Sequence, residues 1–141
     1  MATTRTANAH WEGSLLEGKG RVSLDSSGIG AYDVTWAARS AEPNGVTSPE
    51  ELIAAAHSTC FSMSLSNELS KAGHEVQTID TTAEVDFQPG QGITGIRLKT
   101  RAAVKDISAE EFATFAEGAK TNCPVSKALA GTTITLDAAL V

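Results

Sequence analysis

The sequence is poor in cysteine, in basic residues and in long hydrophobic runs. Two cysteines in 141 residues are too few for the disulfide framework of a small secreted protein. The 11 lysines and arginines are outnumbered by 17 aspartates and glutamates, and the net charge is −6 at pH 7, which makes nucleic acid a poor candidate partner. No apolar run approaches the roughly 20 residues of a membrane span. We therefore expect neither nucleic-acid binding nor membrane insertion.

The N-terminal stretch and the overall composition are typical of a cytoplasmic globular protein. "MATTRTANAHWEG" lacks the apolar segment of a signal peptide. The chain is 41% hydrophobic and 20% charged, and it is long enough to bury about two-thirds of its unfolded surface. No repeat, low-complexity tract or linker interrupts it. We expect a single domain over residues 1–141 and a cytoplasmic location.

Turns rich in glycine and serine separate β-like runs from helical ones. "NAHWEG", "GRVSLDS" and "AYDVTWAA" predict three short strands in an N-terminal meander. A long helix follows, then a hairpin of "EVQTIDTTAEVDF" with "GITGIRLKTRAAVKD", and then two helices, which begin near Ser108 and Pro124. "TTITLDAAL" is the last strand. The predicted order is βββαββααβ, which indicates an α+β fold because strands and helices are partly segregated.

The long helix has clear start and stop signals at about residues 49 and 72. Ser48 is placed to be the N-cap, Pro49 takes the first helical position, and Glu51 completes a capping box. Gly73 is suited to the position that follows the helix. Apolar spacing predicts that the helix is central and buried, with Leu52, Ile53, Ala56, Cys60, Met63 and Leu69 on its apolar positions.

Three interpretations of the two cysteines are open. Cys60 and Cys123 lie 63 positions apart, far from any C-x-x-C spacing, and could be inert core thiols, a long-range catalytic pair or metal ligands. The metal site is the weakest, because the three histidines show no recurrent ligand spacing with them. Cys123 directly precedes a proline at the start of a short helix, where backbone N–H groups and the helix dipole stabilise a thiolate.

Four stretches resemble the OsmC/Ohr family of bacterial hydroperoxide reductases: "AHWEG", "TSPEELIAAAHSTCFSMSLS", "IDTTAEV" and "CPVSKAL". The resemblance covers essentially the whole chain, and "AHWEG" together with Val125 favours the osmotically inducible OsmC branch. It implies antiparallel sheets packed around the central helix in an intertwined homodimer. It also implies a cofactor-free thiol peroxidase, with Cys60 as the peroxidatic and Cys123 as the resolving cysteine.

The same resemblance implies that Arg39 and Glu50 belong to the active site, although Arg21 or Arg5 could compete with Arg39. An arginine beside the sulfur would favour the thiolate and stabilise charge as the O–O bond breaks. Glu50 would hold that arginine, since a carboxylate touching the thiolate would raise the pKa of the thiol. We expect His57, one turn before Cys60, to have a structural role.

On this interpretation an organic hydroperoxide, bound in an apolar pocket, oxidises Cys60 to a sulfenic acid. Cys123 then forms an intramolecular disulfide with it, which an external dithiol reduces. Glu50 and Cys60 lie ten residues apart on one predicted helix, about 15 Å along its axis. Either the helix begins later than its capping box suggests, or Arg39 and Glu50 serve the Cys60 of a second chain; we expect the second, in a homodimer. The alternatives are a redox sensor or binding module without turnover, and a hydrolase using Cys60 with His57.

Overall fold

Six strands and four helices follow one another in the order βββααββααβ in the computed structural model, which describes residues 1–141. The chain divides into two compact units, Met1–Leu52 and Ile53–Val141, each described below by itself. The strands are β1 Asn8–Glu12, β2 Lys19–Ser23, β3 Ala31–Val34, β4 Val76–Gln88, β5 Gly92–Val104 and β6 Ile134–Leu140. The helices are α1 Trp36–Ser40, α2 Pro49–Lys71, α3 Ala109–Asn122 and α4 Pro124–Ala128. The predicted α+β class is confirmed.

The first unit contains the predicted meander, in which β1, β2 and β3 pair antiparallel in chain order. One prediction in this unit is wrong. The run "AYDVTWAA" is not a single strand, because the chain leaves the sheet at Val34 and forms α1. The Thr35 side chain is the reason, since its oxygen accepts a hydrogen bond from the Ala38 N–H at 3.1 Å and so caps the new helix.

Both ends of α2 follow the signals in the sequence. The Ser48 hydroxyl oxygen accepts from the Glu51 N–H at 3.2 Å, as an N-cap does. At the other end Gly73 has a φ of +89°, a left-handed conformation that glycine adopts at little cost. The His74 N–H then donates to the Leu69 carbonyl at 3.0 Å and closes the helix.

The second unit is built on the long hairpin of β4 and β5, to which β6 adds as a third strand. β6 runs parallel to β5, so the expectation of purely antiparallel sheets is wrong for this strand. A parallel neighbour cannot be reached by a tight turn and needs a crossover connection. Residues 105–133, which contain α3 and α4, are that crossover.

One stripe of α2 contributes to the core of the second unit. Phe61, Leu65 and Leu69 are completely buried and recur every four residues, so they lie on one helix face. They pack with residues of β5 and α3, namely Leu98, Ala102, Phe112, Ala116 and Ala119.

The predicted burial of α2 on several sides is wrong within the single chain. Met63, which the sequence placed on the apolar face, is 68% exposed. The other face of the helix has no partner in the core cluster, because the sheet and α3 cover one side only.

No helix is both long and apolar enough to cross a bilayer.

Candidate active site

The two cysteines are brought together in the second unit. Cys60 lies in the middle of α2, and Cys123 lies between α3 and α4. Both thiols are free, and their Sγ atoms are 2.8 Å apart. Cys123 is completely buried, whereas Cys60 is partly exposed. Of the two sulfurs, that of Cys60 is therefore the more accessible to a small molecule.

The junction of two helices fixes the position of Cys123. Its N–H donates to the Ala119 carbonyl at 2.9 Å and ends α3, while its carbonyl accepts from the Lys127 N–H at 3.0 Å and begins α4. Pro124 then occupies the first position of α4, where the missing N–H costs nothing. The backbone on both sides of the thiol is thus held by helix hydrogen bonds.

Hydrogen-bond donors are distributed unequally between the two sulfurs. Burial raises the pKa of the Cys60 thiol, as does its hydrogen bond with Cys123, and donation from the Val125 N–H and the Ser64 hydroxyl offsets this only in part. Burial alone would also raise the pKa of Cys123. There it is outweighed by the hydrogen bond with Cys60, by the Ser126 N–H and hydroxyl, and by the Val125 N–H, so that the pKa of Cys123 is lowered. Within this thiol pair, the negative charge is therefore better stabilised on Cys123.

A buried serine and histidine lie behind Cys123. Ser126 is 4% exposed and His57 is completely buried, and the His57 Nε2 and Ser126 Oγ atoms are 2.7 Å apart. Burial lowers the pKa of His57, which keeps the ring neutral. Ser126 was not singled out from the sequence. Its position three residues after Cys123, in the first turn of α4, was the available signal.

Arg39 and Glu50 form a two-point ion pair in the first unit. The Arg39 Nε donates to Glu50 Oε1 at 3.0 Å, and its Nη2 donates to Oε2 at 3.0 Å. Arg39 is in the last turn of α1 and Glu50 in the first turn of α2. The Glu50 side chain is 8% exposed and that of Arg39 33%. The arginine is thus held in one orientation while part of it stays accessible.

The competing arginines have other partners. Arg21 pairs with Asp33 at 2.6 Å on the surface of the first sheet, and Arg5 donates to the neighbouring Thr4 carbonyl at 2.9 Å. Arg39 is therefore the arginine that the structure places on Glu50.

No group of three or more His, Cys, Asp or Glu side chains is arranged to hold a metal ion.

Residues 42–137 match the family described as OsmC-like protein, and the chain therefore belongs to that family. It is 43% identical over 140 residues to the Peroxiredoxin OsmC of Escherichia coli (strain K12), an alignment that covers 97% of this chain and 96% of the relative. It is also 33% identical over 90 residues to the Organic hydroperoxide resistance protein-like 2 of Staphylococcus saprophyticus, covering 61% of this chain and 63% of that one.

Solved structures share the fold. The organic hydroperoxide resistance protein from Elizabethkingia anophelis is 25% identical with a TM-score of 0.71, and the alignment covers 100% of both chains. An OsmC organic hydroperoxide resistance protein from Legionella pneumophila is 22% identical with a TM-score of 0.73, covering 99% of this chain and 98% of that one. At the latter identity the likeness concerns the fold alone.

Proposed function

We propose that this chain is a thiol-dependent peroxidase that reduces organic hydroperoxides, with Cys60 as the peroxidatic and Cys123 as the resolving cysteine. The observation that carries the proposal is the 2.8 Å separation of two free sulfurs that are 63 positions apart in the sequence. A full-length relative named a peroxiredoxin, at 43% identity, gives the activity class. The greater exposure of Cys60 supports its role as the thiol that meets the substrate.

The reaction needs only the two thiols, the hydroperoxide and an external dithiol. The Cys60 thiolate attacks the peroxide, the O–O bond breaks, and an alkoxide leaves and takes a proton, so that Cys60 becomes a sulfenic acid. The Cys123 thiolate then attacks the Cys60 sulfur and expels hydroxide, which is released as water once protonated. The resulting disulfide is reduced by thiol–disulfide exchange with the dithiol. No step requires a cofactor.

Arg39 is the proposed activating cation and Glu50 its anchor. A free cysteine with a pKa of about 8.5 is only a few per cent ionised at neutral pH. The groups that shift the pKa of Cys60 are Cys123, Val125 and Ser64, none of them cationic. A guanidinium oriented by a carboxylate would supply the missing positive charge and would donate to the peroxide oxygens in the transition state.

The proposed site is shared by two chains. α2 is continuous from Pro49 to Lys71, as the argument from helix length requires, and its Met63 face is exposed in the single chain. We propose a homodimer in which the Arg39–Glu50 pair of one chain serves Cys60 of the other, and which covers this face. We also place the protein in the cytoplasm, where dithiol reductants keep cysteines reduced.

Consumption of an organic hydroperoxide by the reduced protein, with dithiothreitol as reductant, tests the function. With dithiothreitol, wild type should reduce many equivalents and Cys60→Ser none. Without dithiothreitol, reduced Cys123→Ser should reduce one equivalent and keep a sulfenic acid that dimedone traps. The double variant Cys60→Ser/Cys123→Ser measures the background. A Cys60→Ser variant that turns over would end the assignment, and a wild type that stops after one equivalent would indicate a redox sensor instead.

A further inference from the structure

Two buried polar side chains, those of His57 and Ser126, form a continuous row that ends at the thiol of Cys123. Ser126 lies in the first turn of α4, which Cys123 begins, and its hydroxyl lowers the pKa of the Cys123 thiol. Ser126 Oγ lies 2.7 Å from His57 Nε2. His57 is one α2 turn before Cys60, and its stripe also carries Phe61. The row therefore joins α2 to α4 directly behind the thiol pair. Neither the serine nor the histidine has a part in the reaction as proposed above.

The direction of these hydrogen bonds follows from the second nitrogen of the histidine. His57 Nδ1 is buried and has no hydrogen-bond partner. A buried N–H without an acceptor is rarer and costlier than an acceptor without a donor. The neutral ring therefore carries its proton on Nε2, which donates to Ser126 Oγ. The serine hydroxyl proton is then left to point at the Cys123 sulfur.

We propose that His57 and Ser126 form a hydrogen-bond relay that stabilises the Cys123 thiolate and so sets the rate at which Cys123 resolves the oxidised Cys60. His57 is a positioning residue that acts through the serine, and Ser126 is the residue that touches the reacting sulfur. This inference rests on the proposed function, because resolution presupposes a sulfenic acid on Cys60.

The relay acts on one step of the cycle. The nucleophile in resolution is the Cys123 thiolate, whose lone pair forms the S–S bond while hydroxide leaves from the Cys60 sulfur. A hydroxyl oriented by a fixed N–H donor stabilises that thiolate without itself losing a proton. The relay makes no contact with the peroxide, and it favours the thiolate on Cys123 over the thiolate on Cys60, so its removal should not slow the attack of Cys60 on the substrate.

A thiolate titration of Cys123 tests the relay without any peroxide. In a Cys60→Ser background, Cys123 is the only thiol, and its ionisation is followed by ultraviolet absorbance against pH. Loss of a hydrogen bond to a charged group should reduce the thiolate fraction at neutral pH about tenfold in Ser126→Ala. Ser126→Thr, which keeps the hydroxyl, should titrate like the parent. An unchanged titration in Ser126→Ala would overturn the relay and leave the peroxidase proposal standing.

The histidine is tested by a matched pair of substitutions in the same background. His57→Gln keeps an N–H near the Nε2 position, and His57→Leu removes it. Only His57→Leu should lower the thiolate fraction, again by about tenfold at most, since its effect passes through the serine. Equal titration curves for the two variants would remove His57 from the relay. This pair also decides the matter if Ser126→Ala does not fold.

Single-turnover kinetics with one equivalent of an organic hydroperoxide place the effect in the cycle. With both cysteines present, Ser126→Ala should consume peroxide no more slowly than wild type but form the disulfide about tenfold more slowly, with more sulfenic acid trapped by dimedone. Thr100→Val, which removes another buried hydroxyl in the same unit, is the control for a general loss of packing. Slower disulfide formation in Thr100→Val as well would show that the effect is structural.

Discussion

The guanidinium of Arg39 is held at two points by the carboxylate of Glu50. At the scale of single residues, substitution of Arg39 therefore tests whether this oriented charge activates Cys60. The contacts are 3.0 Å from Nε to Oε1 and 3.0 Å from Nη2 to Oε2 of Glu50. If this pair serves Cys60, Arg39→Ala should leave the fold intact, raise the apparent pKa of the Cys60 thiol and lower kcat/KM for an organic hydroperoxide by orders of magnitude. The rate of thiol alkylation against pH measures the first effect.

Arg39→Lys is the matched control for the charge. An ammonium keeps the positive charge but cannot hold a carboxylate at two points, so this variant should recover only part of the activity. Arg21→Ala should have no effect, because Arg21 pairs with Asp33 instead. An alkylation profile that is the same in Arg39→Ala and wild type would mean that another group activates Cys60.

At the scale of the elements, α3 matters because it ends at Cys123, the proposed resolving cysteine. The Ser108 Oγ accepts from the Glu111 N–H at 3.1 Å and caps the helix. Ser108→Ala should lower the free energy of unfolding by about 1 kcal/mol, measured as a shift in the urea midpoint. Ser108→Asp keeps an oxygen acceptor and favours the helix N-terminus electrostatically, so it should stay near wild type. Equal losses in the two variants would contradict a capping role.

Local signals predicted the elements better than they predicted burial and pairing. The start and end of α2 were predictable from Ser48 and Gly73, because capping involves only neighbours in the sequence. The buried face of α2 was not, since apolar residues occur on several sides of the helix around Cys60 and only the partner surfaces select Phe61 and Leu65. The parallel pairing of β6 with β5 could not be predicted from the sequence either, because it depends on how the crossover packs.

The residues of the candidate site show the same contrast between what local sequence predicts and what depends on long-range packing. The two cysteine motifs pointed to a pair of thiols before their separation was known, and the motif resemblance named Arg39 and Glu50. Ser126 could not be predicted as a site residue, because serine is common in the first turn of a helix. Its importance comes from His57, which is 69 positions away. Contacts at such separations follow from the fold, not from local sequence.

At the scale of the whole molecule, the proposed site shared by two chains predicts how mixtures of two inactive variants behave. Cys60→Ser and Arg39→Ala proteins should each be inactive, but mixing them with exchange of chains should restore activity. A mixed dimer has one site with both defects and one intact site, so a statistical mixture should approach about a quarter of wild-type activity. The measurement is peroxide consumption after brief denaturation and joint refolding.

Separately refolded proteins mixed without exchange are the control for this recovery. If each chain served its own cysteine, every pocket would keep one defect and no mixture would recover. Light scattering on the wild type provides the independent check. A monomer at working concentration would rule out the shared site.

The parallel pairing of β6 with β5 also bears on when Cys60 and Cys123 come together during synthesis of the chain. Cys60 leaves the ribosome 63 residues before Cys123, an interval of about 3 to 13 s at synthesis rates of about 5–20 residues per second. The segment that carries Cys123 is held by α3, which packs on α2 and β5, and by the chain that leads into β6, and both sets of contacts are non-local in the sequence. Until Cys123 has been made, Cys60 is therefore a thiol without its proposed resolving partner. One oxidant molecule that reaches the nascent chain would produce a sulfenic acid, and a second would take it to the irreversible sulfinic state, so oxidative stress should damage newly made copies more than mature ones.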